Sequence, residues 1–305
     1  AWQIYDYGGQ DYVTAESMHR FYRFSEFKVT GDHVWFKNPT LIMKGRVGSL
    51  DMLINNIKFV LSNPVRNING KVCFSRLDLA KLLDPVIRPW LITQSEPFDT
   101  VILDAGHGGH DSGAKGLYGY EKDFTLKLAE STRAALLKRG FKVVMTRQDD
   151  RFISLGGRVR FANAIPKSIF ISLHFNSAST SASGIETFAL TPQGGSSTAM
   201  GARAWDDKAF TGNVRDAENI ALATAVHAMV MHRFKLIDRG IKRARWSVLT
   251  GCTRPGILFE GGFVTNQTEG RLIASQLYRD QLANAISDAV TNYRAALHPR
   301  TVQQR

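Results

Sequence analysis

Two styles of hydrophobic patterning divide the chain near residue 90. Before that point the apolar positions come in short runs. The stretches 33–36, 41–43, 51–54 and 57–61 read as strands, some joined by Asn or Gly turns. Thr14 can cap a helix that places Met18, Phe21 and Tyr22 on one face. Ser75 and Asp78 make a capping box for a short helix showing Leu79, Leu82 and Leu83. Residues 1–88 are therefore expected to form a small α+β domain. Pro85, Pro89 and Pro97 follow within 83–98. Proline removes a backbone donor and disfavours helix in the residue before it, which predicts an extended stretch there, with the linker proper at 89–98.

After the linker, strands alternate with long helices. Residues 100–104 form an apolar run without alternation, as a strand covered on both faces would. A helix over 122–139 stops at Gly140. Strands follow at 141–146 and 169–173, with a helix near 155–164 between them. Then come a strand at 184–190, a helix near 216–234, a strand at 256–260 and a helix near 276–296. This order predicts an α/β unit over 99–298 with a mostly parallel sheet, followed by a basic tail at 299–305.

Composition narrows the picture. At 44% apolar and 22% charged, the 305 residues are those of a folded globular chain and not of a disordered one. No apolar stretch approaches the roughly 18 residues of a spanning helix. The net charge of +12 favours an anionic partner: nucleic acid, acidic lipid or an acidic wall polymer. Cys73 and Cys252 are too few for a disulfide framework or a Cys-based zinc site, and are expected as free thiols. The chain starts at Ala1 with neither an initiator Met nor a basic-then-apolar leader, as expected after removal of a signal peptide or trimming.

In open parallel sheets, ligands gather outside the carboxyl ends of the strands. Three expected strands end there in residues suited to metal or proton work. Strand 100–104 runs into Gly106-His107-Gly108, strand 169–173 ends at His174, and strand 256–260 ends at Glu260. Glu121 opens the helix after the glycine-rich loop. Two His and one Glu match the ligand set of catalytic zinc sites, leaving Glu260 as a general base.

A resemblance sharpens this reading. Residues 101–114 (VILDAGHGGHDSGA) with Glu121 and Asp123 resemble the opening signature of the zinc-dependent N-acetylmuramoyl-L-alanine amidases. The likeness continues through Thr146, Arg147, Asp150, Leu155, Arg158, Ala162 and Asn163. It runs on through 172–178 (SLHFNSA), 184–187 (GIET), 239–242 (RGIK), 257–266 (ILFEGGFVTN) and Glu269. What the resemblance implies is a mixed, mostly parallel six-stranded sheet flanked by helices. It also implies one zinc ion per chain held by His107, Glu121 and His174, with Glu260 as the catalytic carboxylate. The activity implied is hydrolysis of the amide between the muramoyl lactyl group and L-alanine of peptidoglycan, in wall remodelling, cell separation or lysis. The implied place is the bacterial cell envelope, periplasmic or secreted. Two positions depart from the family: Ala105 stands where Pro is usual, and Thr250 ends a lead-in that usually closes in Arg, for which Arg254 is the candidate replacement.

Around this core stand candidates of a second rank. Asn176, Arg243, Arg245 and Arg254 are candidate substrate contacts, since stem peptides carry carboxylates. Asp104, His110, Asp111 and Glu186 are candidates for orienting the ligands. Arg147 and Arg158 are expected to hold helices and loops. The segment 191–215, rich in Gly, Ser, Thr and Ala, reads either as a plain surface loop or as a lid that an activator protein would relieve. In the first domain, residues 12–18 and 69–83 are similar to the copper amine oxidase N-terminal-like module, without a copper ligand set in His19 and His33; wall binding or targeting is the expected role. Two alternatives to the amidase remain open, another zinc peptidase or amidohydrolase and a catalytically silent peptidoglycan-binding regulator. A nucleic-acid binder rests on charge alone, with no motif for it.

Overall fold

Short strands do build the first part of the chain. The structure, a computed structural model, describes residues 1–298, so the basic tail expected at 299–305 lies outside the described residues. The N-terminal part runs β1 (Ile4–Tyr7), β2 (Gln10–Thr14) and α1 (Ala15–Tyr22). A meander follows: β3 (Glu26–Thr30), β4 (His33–Lys37), β5 (Ile42–Arg46), β6 (Asp51–Ile54) and β7 (Ile57–Val60). Next come β8 (Arg66–Ile68), β9 (Lys71–Ser75), α2 (Arg76–Asp78) and α3 (Asp84–Ile87), joined by a helical turn over 79–83. Thr14 caps α1 by accepting from the Ser17 N–H, as its sequence position predicts. Asn55 and Asn56 both take left-handed backbone, the geometry a two-residue hairpin turn requires between β6 and β7.

The extended path expected from 83 onward is corrected. The chain stays helical through Ile87, because Pro85 sits in the first turn of α3, where its missing N–H costs nothing. Pro89–Leu91 form a short 3₁₀ helix and residues 93–94 a turn, so the expected linker is neither wholly extended nor loose. Phe98 is buried against Phe141 and Tyr293, and Arg215 holds the Gln94 carbonyl.

The second part contains β10 (Thr100–Ala105), α4 (Glu121–Lys138), β11 (Lys142–Met145), α5 (Leu155–Asn163) and β12 (Ser168–Asn176). It continues with β13 (Ile185–Leu190), α6 (Asp216–Arg233), β14 (Asp238–Ala244), α7 (Ser247–Thr250), β15 (Gly256–Phe263), α8 (Gln267–Ala274) and α9 (Gln276–Leu297). Six strands lie in the order β11-β10-β12-β15-β13-β14, with only the β13–β15 pairing antiparallel. This is the mixed, mostly parallel six-stranded sheet that the resemblance implied. One face packs on α4, α6 and α9 through residues such as Leu103, Ile171, Phe259, Val226 and Ile286. The other face packs on α5 and α7 through Ile102, Phe170, Phe188 and Leu258. Cys73 and Cys252 are buried free thiols.

The sheet does not stop at β14. Ile241 pairs in parallel with Phe59, so the meander β7-β6-β5-β4-β3 prolongs the sheet to eleven strands. Asp238 fastens this seam by accepting from the Lys58 N–H (2.9 Å), the Gly240 N–H (2.8 Å) and, at 2.8 Å, contacting Nε2 of buried His227.

Candidate functional site

Strand register decides which residues meet. His174 lies directly across from Glu260 in the β12–β15 pair, and Glu260 lies across from Glu186 in the β15–β13 pair. Cross-strand partners share a face, so these three side chains stand side by side. They emerge above the part of that face that α5 and α7 cover.

The glycine-rich loop after β10 brings in His107, and Glu121 enters at the first turn of α4. His107 Nε2 is 3.1 Å from Glu121 Oε1, and His174 Nδ1 is 2.9 Å from the same oxygen. One donor atom from each of His107, Glu121 and His174 lies within 4.8 Å of the others. That is a three-ligand set able to hold a metal ion, of the His, His, carboxylate kind that catalytic zinc sites use.

The surroundings leave these groups little freedom. A Cβ on Gly106 would stand 2.3 Å from the His174 ring, so only glycine lets the loop pass there. His107 itself adopts φ +63°, a costly conformation for a residue with a side chain. Arg158 offsets that cost by donating to the carbonyls of Ala105 and His107, both at 2.7 Å. Arg147 donates to the carbonyls of Ala105, Gly106 and Lys122. Both arginines therefore hold the loop, as expected of them. Asp111 Oδ2 sits 2.9 Å from His107 Nδ1, which turns Nε2 toward the ligand cluster.

Electrostatics distinguish the carboxylates. Burial opposes ionisation of Glu121, yet hydrogen bonds from His107 and His174 hold its pKa far below the usual range. Burial also works against the charge on His107, but Glu121 and Asp111 outweigh it and raise its pKa. Glu260 goes the other way: burial first, then the charges of Glu121 and Glu186, push it well above the carboxylate range. Its Oε2 is shielded from solvent and has no hydrogen-bond partner among the described residues. Glu186 is half-surrounded by cations. Burial raises its pKa, but Lys242 at 2.6 Å and Arg239 at 3.1 Å bring it below the usual value. Asn176 donates to the other Glu186 oxygen at 2.5 Å.

Several expected roles are corrected. Asp104 touches no histidine; it is a buried hub accepting from Thr146, Arg158 and Ser172, each at 2.7 Å. His110 stacks on Phe152 at 4.1 Å between centroids and orients nothing in the cluster. Arg243 is buried against Asp78 (2.5 Å) and Ser62 (2.8 Å), and Arg245 against Asp206 (2.7 Å), so neither faces a cleft. Arg254 precedes β15, at the opposite end of that strand from Glu260, and donates to the Asn163 carbonyl. The basic residues beside the site are Arg239 and Lys242 on β14, both paired with Glu186.

The lid reading of 191–215 is also corrected. Since β13 is antiparallel to β15, it starts at the site edge with Glu186 and ends at Leu190 on the far edge. The segment that follows is tied down there: Arg245 holds the carbonyls of Pro192, Gly195 and Asp206. Thr198 bonds the Arg243 backbone. An activator working by lifting this segment from the cleft has no such contact to break.

Comparison with known proteins adds the last observation. The family described as N-acetylmuramoyl-L-alanine amidase matches residues 101–292. The chain is 32% identical over 201 residues to the uncharacterized protein YqiI of Bacillus subtilis, covering 65% of this chain and 87% of that one. It is 30% identical over 219 residues to the N-acetylmuramoyl-L-alanine amidase AmiA of Escherichia coli, covering 63% and 75%. Among solved structures it resembles the catalytic domain of the amidase CwlV from Bacillus (Paenibacillus) polymyxa var. colistinus. That likeness has a TM-score of 0.54 at 30% identity and covers 64% of this chain and 98% of the other.

Proposed function

The chain belongs to the family of N-acetylmuramoyl-L-alanine amidases and is a peptidoglycan amidase, and from that premise we propose that it works with one zinc ion held by His107, Glu121 and His174. The observation that carries this reading is the convergence of those three donors within 4.8 Å, beside a shielded carboxyl. The donor set fits zinc: two imidazoles and a carboxylate are the three-ligand kind that catalytic zinc sites use. When bound, the ion supplies a Lewis acid that polarises the lactyl carbonyl and favours ionisation of water.

The chain's own groups do the rest. Glu260 accepts the proton of the attacking water and returns it to the departing amine of L-alanine. Burial and the neighbouring charges of Glu121 and Glu186 raise the affinity of this carboxyl for a proton, the direction that favours taking one up from water. Asp111 fixes the His107 tautomer, while Asn176, Arg239 and Lys242 hold Glu186 in place beside Glu260. The enzyme acts in the bacterial cell envelope, where its polymer lies. Among the described residues no helix is long and apolar enough to cross a membrane.

Site variants and muropeptide analysis test the reading together. Glu260→Ala is expected to keep zinc and lose about 10²–10⁴-fold in turnover. His174→Ala is expected to lose the metal as well, and a chelator to abolish wild-type activity. Mass spectrometry of the digest should find stem peptides with a free L-alanine amine. Cleavage within the stem peptide instead would point to a zinc peptidase, and near-normal turnover by Glu260→Ala would reject its assignment.

A further inference from the structure

We propose that the outward face of the β3–β7 meander is a docking platform for the glycan and acidic stem peptides of peptidoglycan, aligned with the active site by strand register. The proposal rests on the amidase reading for its choice of ligand. Its first support is continuity. The row of cross-strand partners His174, Glu260, Glu186 and Gly240 runs across β12, β15, β13 and β14. Lys58 on β7 continues it, since a Cβ on Gly240 would stand 3.1 Å from Lys58 Cγ. The same row then passes through Leu53, Lys44, Trp35 and Lys28. Every member lies on one side of the sheet. Seven strand spacings separate His174 from Trp35, about 34 Å of path that winds with the sheet's twist.

The second support is chemistry. The inward face of the meander is sealed by Val34, Phe36, Met43, Met52 and Phe59. An outward face that served solubility alone would be polar throughout. This one carries half-buried Trp35 at its centre, with Lys37 Nζ 5.9 Å from its ring centroid, and has Leu53 at 38% and Ile42 at 36% exposure. The cations are not all committed either. Lys37 pairs with Glu26, Lys58 with Asp51 and Arg46 with Asp32, but Lys28 and Lys44 have no carboxylate partner among the described residues. They sit directly on either side of Trp35 in neighbouring strands. A flat ring offers the stacking surface that a sugar's C–H face needs, and two free ammonium groups beside it complement stem-peptide carboxylates. Tethering the polymer on this path raises the local concentration of scissile bonds at Glu260 without a new contact there.

The test uses the full chain. Trp35→Ala and the doubly reversed Lys28→Glu/Lys44→Glu are each placed in the wild-type and in the Glu260→Ala background. In the inactive background, pelleting with insoluble peptidoglycan is expected to weaken about tenfold, and wild-type pelleting to weaken with salt. In the active background the rate on insoluble wall is expected to fall, while cleavage of a soluble muramoyl-peptide stays unchanged. The double reversal involves exposed lysines only, so it keeps the test decisive if Trp35→Ala folds poorly. Unchanged pelleting by the double variant would overturn the proposal. So would an equal loss on the soluble fragment, or a loss of binding seen only with anionic phospholipid vesicles. If the wild type cleaves neither substrate yet the variants lose pelleting, the platform stands and the amidase assignment fails.

Discussion

Ligand identity at the site depends on atoms one shell out. His107 is held in a left-handed backbone conformation, which would relax if the surrounding loop were free to move. Arg147, Arg158 and the Asp150 carboxylate, which accepts from the Gly109 N–H at 2.8 Å, pin that loop from three sides. Asp111 then sets which ring nitrogen of His107 faces Glu121 and His174. Removing such a partner usually costs 10–100-fold in metal affinity while leaving the ligands in place. Asp111→Ala is therefore expected to weaken zinc binding by about that factor in chelator competition, with little change in melting temperature. Unchanged affinity would mean that the loop alone orients the ring. His110, one position away in sequence, serves as the internal contrast: its ring rests on Phe152, so His110→Ala should leave affinity as it is.

Elements were legible where their apolar period was clean, and obscure where charge interrupted it. The helices α4, α5, α6 and α9 and the strands after residue 99 other than β14 follow the sequence pattern, and Glu121 opens α4 as expected, but β12 and β15 run past His174 and Glu260 to Asn176 and Phe263. β14 was not legible as a strand. Its sequence, DRGIKRA, reads as a basic cluster, because three of its seven residues carry positive charge. Each of those charges has a partner far away in sequence: Arg239 and Lys242 meet Glu186, and Arg243 meets Asp78. Such pairing depends on topology, so no local pattern announces it. The substrate role expected of Arg243 fails for the same physical reason, since its side chain is shut between the two parts of the chain. Asp78 is equally buried and also accepts from the Ser62 and Asn63 N–H groups. Breaking a buried pair by removing one partner strands the other charge and costs about 3–5 kcal/mol. Asp78→Ala should lose stability in that range by urea unfolding, whereas replacing both Asp78 and Arg243 with Leu should cost less than the single change. A single variant within about 0.5 kcal/mol of wild type would show that solvent reaches the pair.

The two parts that sequence patterning separates share one interior. Met18, Phe36, Phe59, Leu82 and Leu83 from the first part belong to the same apolar cluster as Ile241, Leu222 and Val226 from the second. The sheet runs through the seam by way of Ile241 and Phe59, and Asp238 and the Asp78–Arg243 pair close it above and below with polar contacts. A seam of this kind has no solvated linker across which one half could unfold alone. The stretch 89–98, expected to be such a linker, instead buries Phe98 between Phe141 and Tyr293. The first part is then a wing of the catalytic sheet, and its stability is inseparable from that of the site. Calorimetry should accordingly show a single transition with calorimetric and van't Hoff enthalpies in agreement, despite a length at which two transitions are common. Asp78→Ala, which lies far from the metal ligands, should lower that transition as a whole and shift the loss of amidase activity on heating by the same number of degrees. An early transition confined to the meander, with activity surviving it, would show that the wing folds and melts by itself.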